Sequence, residues 1–191
     1  MKLIFATHNN HKLKEISALL GENIQLISLD DLNIASEIPE DFTTLEENAM
    51  AKARYINKIT GMDVFADDTG LEINALGGAP GVFSARFAGE EKDFDRNIDK
   101  VLEMMKNTDD RRAAFRTVIA LIKNGREYLF EGRVNGTILR ERRGKEGFGY
   151  DPVFLPDGYM RTFAEMTLEE KNLISHRAEA FKKLKDFLLH Y

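Results

Sequence analysis

A mixed α/β fold is what this sequence predicts. Short apolar runs of strand length alternate with stretches of helical periodicity in the first part of the chain, and a hairpin pattern follows beyond its middle. Strands joined through helices pair in parallel, whereas a hairpin adds an antiparallel pair, so the sheet is expected to be mixed and flanked by helices. No linker, low-complexity tract or internal repeat interrupts the 191 residues, which suit one domain, 1-191, or one domain with two lobes.

Lys2-Leu3-Ile4-Phe5-Ala6 reads as a buried strand, and Leu13, Ile16, Leu19 and Leu20 then recur at helical spacing. Ile24 to Ser28 reads as a second strand. Thr44 with Glu47 forms a capping-box pattern, opening a helix with apolar or small residues at 45, 49, 53, 56 and 59 that ends near Gly61. Val64-Phe65-Ala66 is a buried strand that Thr69-Gly70 is expected to end as a turn. Glu72-Ile73-Asn74 makes a short extended segment before a loop from Gly77 to Gly89. Phe94, Ile98, Val101, Leu102 and Met105 mark a third helix. Ala113 to Ile122, Asn124-Gly125 and Glu127 to Val134 read as a β-hairpin, which Gly136 to Leu139 extends into a meander. Thr167 to Asn172 forms a short capped helix and Ser175 to Leu189 a terminal amphipathic one.

The chemistry concentrates at Asp67-Asp68-Thr69-Gly70, directly after the third strand. Neighbouring side chains of a strand point to opposite faces, so two adjacent carboxylates serve one site only where the backbone turns. Held together, they raise each other's pKa unless a cation lies between them, and a hard-metal site is the economical reading beside that of a plain turn. The loop Thr7-His8-Asn9-Asn10-His11-Lys12 joins the first strand to its helix, where N–H groups meet anions and Lys12 adds a charge suited to phosphate. An ordinary capped helix start, with Asn9 or Asn10 as cap, suits it equally. Lys52 borders the apolar stripe of the helix from Thr44, and the acidic loop Glu37-Ile38-Pro39-Glu40-Asp41 is placed to bring Glu40 towards Lys52 and the Asp67-Asp68 pair. The candidate ligands are all oxygens, so the expected ion is Mg2+ or a similar hard cation. The histidines form no zinc pattern. Ser175-His176 is no nucleophile–base pair, because adjacent helix residues diverge; Ser175 is better read as a cap.

These segments resemble the inosine triphosphate pyrophosphatase family. The likeness is carried by Thr7 to Lys12, Glu46-Glu47-Asn48-Ala49 through Lys52-Ala53, Asp67 to Leu71, Gly77-Gly78-Ala79-Pro80-Gly81-Val82-Phe83-Ser84-Ala85-Arg86, Gly147-Phe148-Gly149-Tyr150-Asp151-Pro152 and Ser175-His176-Arg177. They follow the family's order along nearly the whole chain, with Thr69 and Phe83 where serine and tyrosine are usual. The resemblance implies an elongated sheet with a nucleotide-binding cleft between two lobes, and a homodimer. It implies hydrolysis of non-standard purine nucleoside triphosphates, water attacking the α-phosphorus to release pyrophosphate and a monophosphate. Asp68 would hold the metal and activate water, with Asp67 and Lys52 in the catalytic set and Glu40 at the metal, Glu37 being the fallback. Thr7, His8, Asn9, Asn10, His11, Lys12 and Thr69 would handle the phosphates. Phe148, Gly149, Tyr150, Asp151, Lys171, His176 and Arg177 would meet the base, with donors of His176, Arg177 or loop amides reading a 6-keto group.

Composition narrows the alternatives. Cysteine is absent, which excludes disulfides and thiolate metal sites. Neither a signal peptide nor an 18-residue apolar run is visible, so a cytoplasmic location without a membrane partner is expected. The net charge of −5 argues against a general nucleic-acid binder, and Arg140-Glu141-Arg142-Arg143-Gly144-Lys145 reads as a solvated loop. A regulatory nucleotide binder without turnover would keep Lys12 and the base loop but would not need Glu40, Asp67 and Asp68.

Overall fold

The computed structural model describes residues 1–19, 24–36, 38 and 40–191; Leu20, expected in the first helix, and Glu37 lie outside them. The described elements run β1 (Lys2–Phe5), α1 (Asn10–Leu19), β2 (Gln25–Ile27), α2 (Leu45–Thr60), β3 (Val64–Ile73), β4 (Pro80–Gly81), α3 (Phe94–Met104), β5 (Arg112–Lys123), β6 (Arg126–Ile138), β7 (Phe154–Pro156), α4 (Leu168–Ile174) and α5 (His176–His190). The strands form a mixed sheet in the order β2-β1-β3-β5-β6-β7, with β4 on β3.

The chain divides into two compact units, the first made of Met1–Asp68, Thr117–Gly132 and Arg177–Tyr191, the second of Thr69–Arg116 and Arg133–His176. In the first, β1 pairs in parallel with β2 and with β3, where Phe5 faces Phe65. Those two rings stack at 4.4 Å, and Ile16, Ile119, Phe181 and Leu184 close the core over them. Thr44 caps α2 as expected, accepting from the Glu47 N–H at 3.2 Å, while its hydroxyl donates to the Glu47 carboxylate at 2.8 Å. Gly61 ends the helix at φ 65, a left-handed conformation that glycine adopts without strain. The β5–β6 turn also follows the sequence, with Asn124 and Gly125 both at positive φ.

The second unit packs Leu71, Ile98, Val101, Phe115, Tyr150, Phe154 and Phe163 into its own core. Here the pairing is antiparallel: Ile138 of β6 opposes Phe154 of β7, and Leu71 of β3 opposes Gly81 of β4. Gly136 to Leu139 is therefore not a separate strand; β6 runs unbroken to Ile138, and its last residues, from Gly136, pair antiparallel with the three-residue β7. The arginines of the 140–145 segment are bound to carboxylates, Arg142 to Asp99 at 2.8 Å and Arg143 to Glu165 at 2.9 Å, so the run ties the unit together.

One correction bears on the site. Thr69-Gly70 is not a turn, because β3 continues through both residues to Ile73. Gly70 answers a different need: a Cβ there would lie 2.6 Å from the Gly81 carbonyl oxygen. The missing side chain lets β4 approach. Gly70→Ala is accordingly expected to cost about 1–3 kcal/mol through forced backbone movement, read as a lower midpoint in urea unfolding; an unchanged midpoint would show that the two segments separate freely.

Candidate active site

The first unit gathers seven charged side chains. Asp67 and Asp68, adjacent on an uninterrupted strand, point to opposite faces, and each has its own cations. Asp67 accepts from Lys12 Nζ at 2.9 Å on one oxygen and from Arg177 Nε at 3.4 Å on the other. A second guanidinium nitrogen of Arg177 is bound to the buried Glu15. Asp68 accepts from Lys52 Nζ at 3.3 Å, and the same ammonium lies 2.6 Å from Glu40 Oε1. Three cations thus face four carboxylates. The turn expected here is absent: the pleat gives each carboxylate its own direct ion pairs, while Lys12 and Lys52 both act on the two of them.

The electrostatics differ accordingly. Burial alone would push Asp67 up, but Lys12, Arg177 and Lys52 outweigh it and hold its carboxyl well below the usual range. For Asp68 burial wins; Lys52 and Lys12 pull its pKa down, Glu40 and Asp67 push it up, and it stays raised. Burial lowers Lys12 despite Asp67, whereas Lys52 is raised because Asp68, Glu40 and Asp67 overcome its desolvation. Since the folded pKa of Asp67 is depressed, its stabilisation is present above the unfolded value of about 3.9 and is lost as pH falls below it. Thermal melts should therefore show Tm falling below about pH 4, with a shallower fall in Asp67→Asn; equal slopes would mean that other carboxylates govern the acid limb.

The Thr7 to Lys12 loop is a capped helix start. Asn9 Oδ1 accepts from the N–H groups of His11 at 2.9 Å and Lys12 at 3.2 Å, occupying two donors of the first turn of α1, and Thr7 Oγ1 accepts from the Asn9 N–H at 3.2 Å. His8 lies 3.1 Å from the Ser36 carbonyl through Nε2. His8, Asn10 and His11 are exposed, and Lys12 of this loop reaches the charged cluster.

The second unit carries a buried ion pair flanked by aromatic rings. Lys171 Nζ donates to Asp151 Oδ2 at 2.6 Å and lies 5.0 Å from the Phe148 ring centroid and 5.5 Å from that of Phe163. The Asp151 carboxylate also accepts from the Phe148 N–H at 2.9 Å. Gly147 makes this bend possible, with φ at 73 and a Cβ position only 2.1 Å from Asp151 Oδ2. The His176 ring stacks on Phe115 at 4.6 Å, nearly parallel. Tyr150 is buried in the core and donates from its hydroxyl to the Ser84 carbonyl at 2.8 Å, so it anchors the loop that presents Phe148. Gly149 supplies a second positive-φ bend there, and Thr69 is half-buried on β3.

Two placements depart from the sequence reading. The Arg177 guanidinium, expected at the base, lies with Glu15 and Asp67. Glu15 itself was missed; its signal was a carboxylate three residues after Lys12, beside Ile16 on the apolar side of α1. Among the described residues no group of three His, Asp or Glu side chains is placed to hold a metal. Two carboxylates are available, Asp68 and Glu40, and Asp68 Oδ2 is buried without a hydrogen-bond partner.

Comparison with known proteins covers nearly the whole chain. The profile of the Ham1 family matches residues 3–187. A dITP/XTP pyrophosphatase of Christiangramia forsetii is 54% identical over 98% of this chain and 99% of its own, and that of Porphyromonas gingivalis 52% over 98% and 97%. The solved structure of a HAM1 protein from Coxiella burnetii superposes with a TM-score of 0.92 at 41% identity, covering 100% of both chains. That of the Staphylococcus aureus Ham1 protein gives 0.90 at 37%, covering 100% of this chain and 99% of the other.

Proposed function

Because this chain belongs to the Ham1 family, we infer that it performs the reaction for which its relatives are named, and it is a nucleoside-triphosphate pyrophosphatase. It hydrolyses non-standard purine nucleoside triphosphates, ITP, dITP and XTP, to the monophosphate and pyrophosphate, removing them from the nucleotide pool. It works as one catalytic domain over 1-191, in the cytoplasm and as a homodimer, without nucleic acid or membrane; no helix among the described residues is long and apolar enough to cross one.

The observation that carries the mechanism is Asp68, one oxygen on Lys52 and the other buried and unpartnered. Such an oxygen suits a divalent cation or a water proton. Asp68 and Glu40 are the residues that would hold Mg2+, an ion that commonly takes one or two carboxylates and completes its shell with phosphate oxygens and water. Bound there, Mg2+ supplies Lewis-acid polarisation of the phosphate oxygens. Asp68 takes a proton from water as the water oxygen attacks the α-phosphorus; the bond to the bridging oxygen breaks, and its electrons leave with pyrophosphate. The raised pKa of Asp68 brings it closer to a working base than an ordinary carboxylate would be.

Lys12 and Lys52 offset the charge of the phosphate tail, with Thr7, Asn9, Thr69 and the exposed His8, Asn10 and His11 around it. Asp67 positions Lys12 and is itself fixed by Arg177 and Glu15. In the second unit Phe148 offers a stacking face, and Lys171, His176 and Asp151 offer polar groups to the base edge, while Gly149 and Tyr150 shape the loop. A panel of triphosphates assayed for products tests the reaction. Pyrophosphate and monophosphate should appear in equal amounts; orthophosphate and a diphosphate appearing first would move the attack to the γ-phosphorus, and no product from any nucleotide would mark a binder without turnover.

A further inference from the structure

Lys52 occupies the place that the metal needs. Its ammonium lies 2.6 Å from Glu40 Oε1 and 3.3 Å from Asp68 Oδ1, the two carboxylates assigned above as ligands. Mg2+ binds oxygen at about 2.0–2.1 Å, so an ion shared by these oxygens and an ammonium hydrogen-bonded to both exclude one another. Without some cation the pair would be costly, since like charges in a buried site repel and are poorly solvated. Lys12, the other nearby ammonium, is committed to Asp67 at 2.9 Å and is no ready substitute. Lys52 has a flexible four-carbon stem that can carry its charge from one anionic partner to another. The Glu40 side chain remains 30% exposed while that of Lys52 is only 7% exposed, so one ligand faces water and the ammonium is enclosed.

We infer that Lys52 is the resident counter-ion of the metal site: in the free protein it neutralises Glu40 and Asp68, and on arrival of a divalent cation with its nucleotide it yields those oxygens and transfers its ammonium to the phosphate tail. The inference rests on Asp68 and Glu40 being the ligands. It makes the metal site weak until nucleotide is present, because the entering ion must break two ion pairs before any phosphate is there to take the displaced ammonium. With a triphosphate bound, both losses are offset at once. Lys52 thereby couples metal binding to substrate binding, through an exchange of partners at a fixed pair of carboxylates.

Mn2+ added to the nucleotide-free protein, with the unbound ion read by electron paramagnetic resonance, tests this directly. Wild type should bind Mn2+ weakly. Lys52→Met and Lys52→Gln should each bind it on the order of 10-fold more tightly or better, as a nearby ammonium is removed from an enclosed site. Lys12→Gln, which removes the same charge from beside Asp67, should change the affinity much less. Thermal melts give a second readout that also reports folding: Mn2+ should raise the Tm of the Lys52 variants more than that of wild type. Unchanged or weaker Mn2+ binding in both Lys52 variants, or an equal gain in Lys12→Gln, overturns the exchange. The ligand assignment is tested separately, since adding Asp68→Asn to Lys52→Met should abolish the tight binding. Tight binding that survives that change would mean the ion lies elsewhere, whatever Lys52 does.

Discussion

Asp68→Asn is expected to lower kcat by on the order of 100-fold or more while leaving the protein at least as stable as before. The amide is nearly the same shape and can still accept from Lys52, but it cannot take a proton from water and is a poor ligand for a divalent ion. Stability should not fall with activity, because the folded state already disfavours the charged form of Asp68. For a carboxyl with a raised folded pKa, the contribution to stability is full below the unfolded pKa and is lost as pH rises through the folded one, so at neutral pH its charge is a liability. Asp67→Asn should behave in the opposite way at equilibrium, destabilising the fold because the charge of Asp67 is what Lys12 and Arg177 are bound to. Kinetics and urea unfolding on the two variants separate these roles. A fully active Asp68→Asn would dismiss it as base and ligand, as would full activity of the wild type in excess chelator; Mg2+ should instead restore the chelated enzyme.

The next largest effect lies between substrates. Hypoxanthine and xanthine carry a 6-keto acceptor where adenine carries an amino donor, and a buried site built around that hydrogen bond can discriminate by about 10⁴-fold. We expect kcat/KM for ITP to exceed that for ATP by on the order of 10⁴ for this reason. The guanidinium expected to read this edge is held by Glu15 and Asp67, and Lys171 Nζ is the cation that lies over the Phe148 ring, with the His176 ring and the loop amides as the other expected donors. Lys171→Met should therefore narrow the gap between ITP and ATP, and Phe148→Ala should weaken all purine substrates alike through loss of stacking. Comparable kcat/KM for the two nucleotides in the unaltered protein would refute this pocket.

The sequence displayed features whose cause is local. The N-cap at Thr44, the left-handed stop at Gly61 and the Asn124-Gly125 turn each follow from a few neighbouring residues and were read correctly. The strand β7 was missed because three residues carry no periodicity, and β6 was cut short for a related reason: Gly136 looks like an interruption, whereas the strand passes through it. Asp67-Asp68-Thr69-Gly70 misled for a deeper reason. Carboxylates followed by glycine have the local chemistry of a turn, but what requires Gly70 is the Gly81 carbonyl, eleven residues on, which no local pattern reveals. Family resemblance located six of the seven charged residues, Glu15 excepted, and the sequence brings Glu40 towards Lys52, yet the pairing of Arg177 with Glu15 and Asp67 is decided by tertiary approach alone.

The membership of the first unit has a consequence for biosynthesis. A nascent chain emerges from its N-terminal end, but Phe65 of β3 receives Phe181, and Asp67 receives Arg177, from α5, which is translated after every strand of the sheet. Until α5 leaves the ribosome, β1 and β3 have an apolar flank without its helical cover, and Asp67 lacks the guanidinium that meets its second oxygen. The second unit comprises no residue after His176. Vectorial synthesis therefore completes the charged cluster only after α5 has emerged, and β1 and β3 wait through translation of the second unit with an apolar flank uncovered, the kind of surface through which incomplete chains aggregate.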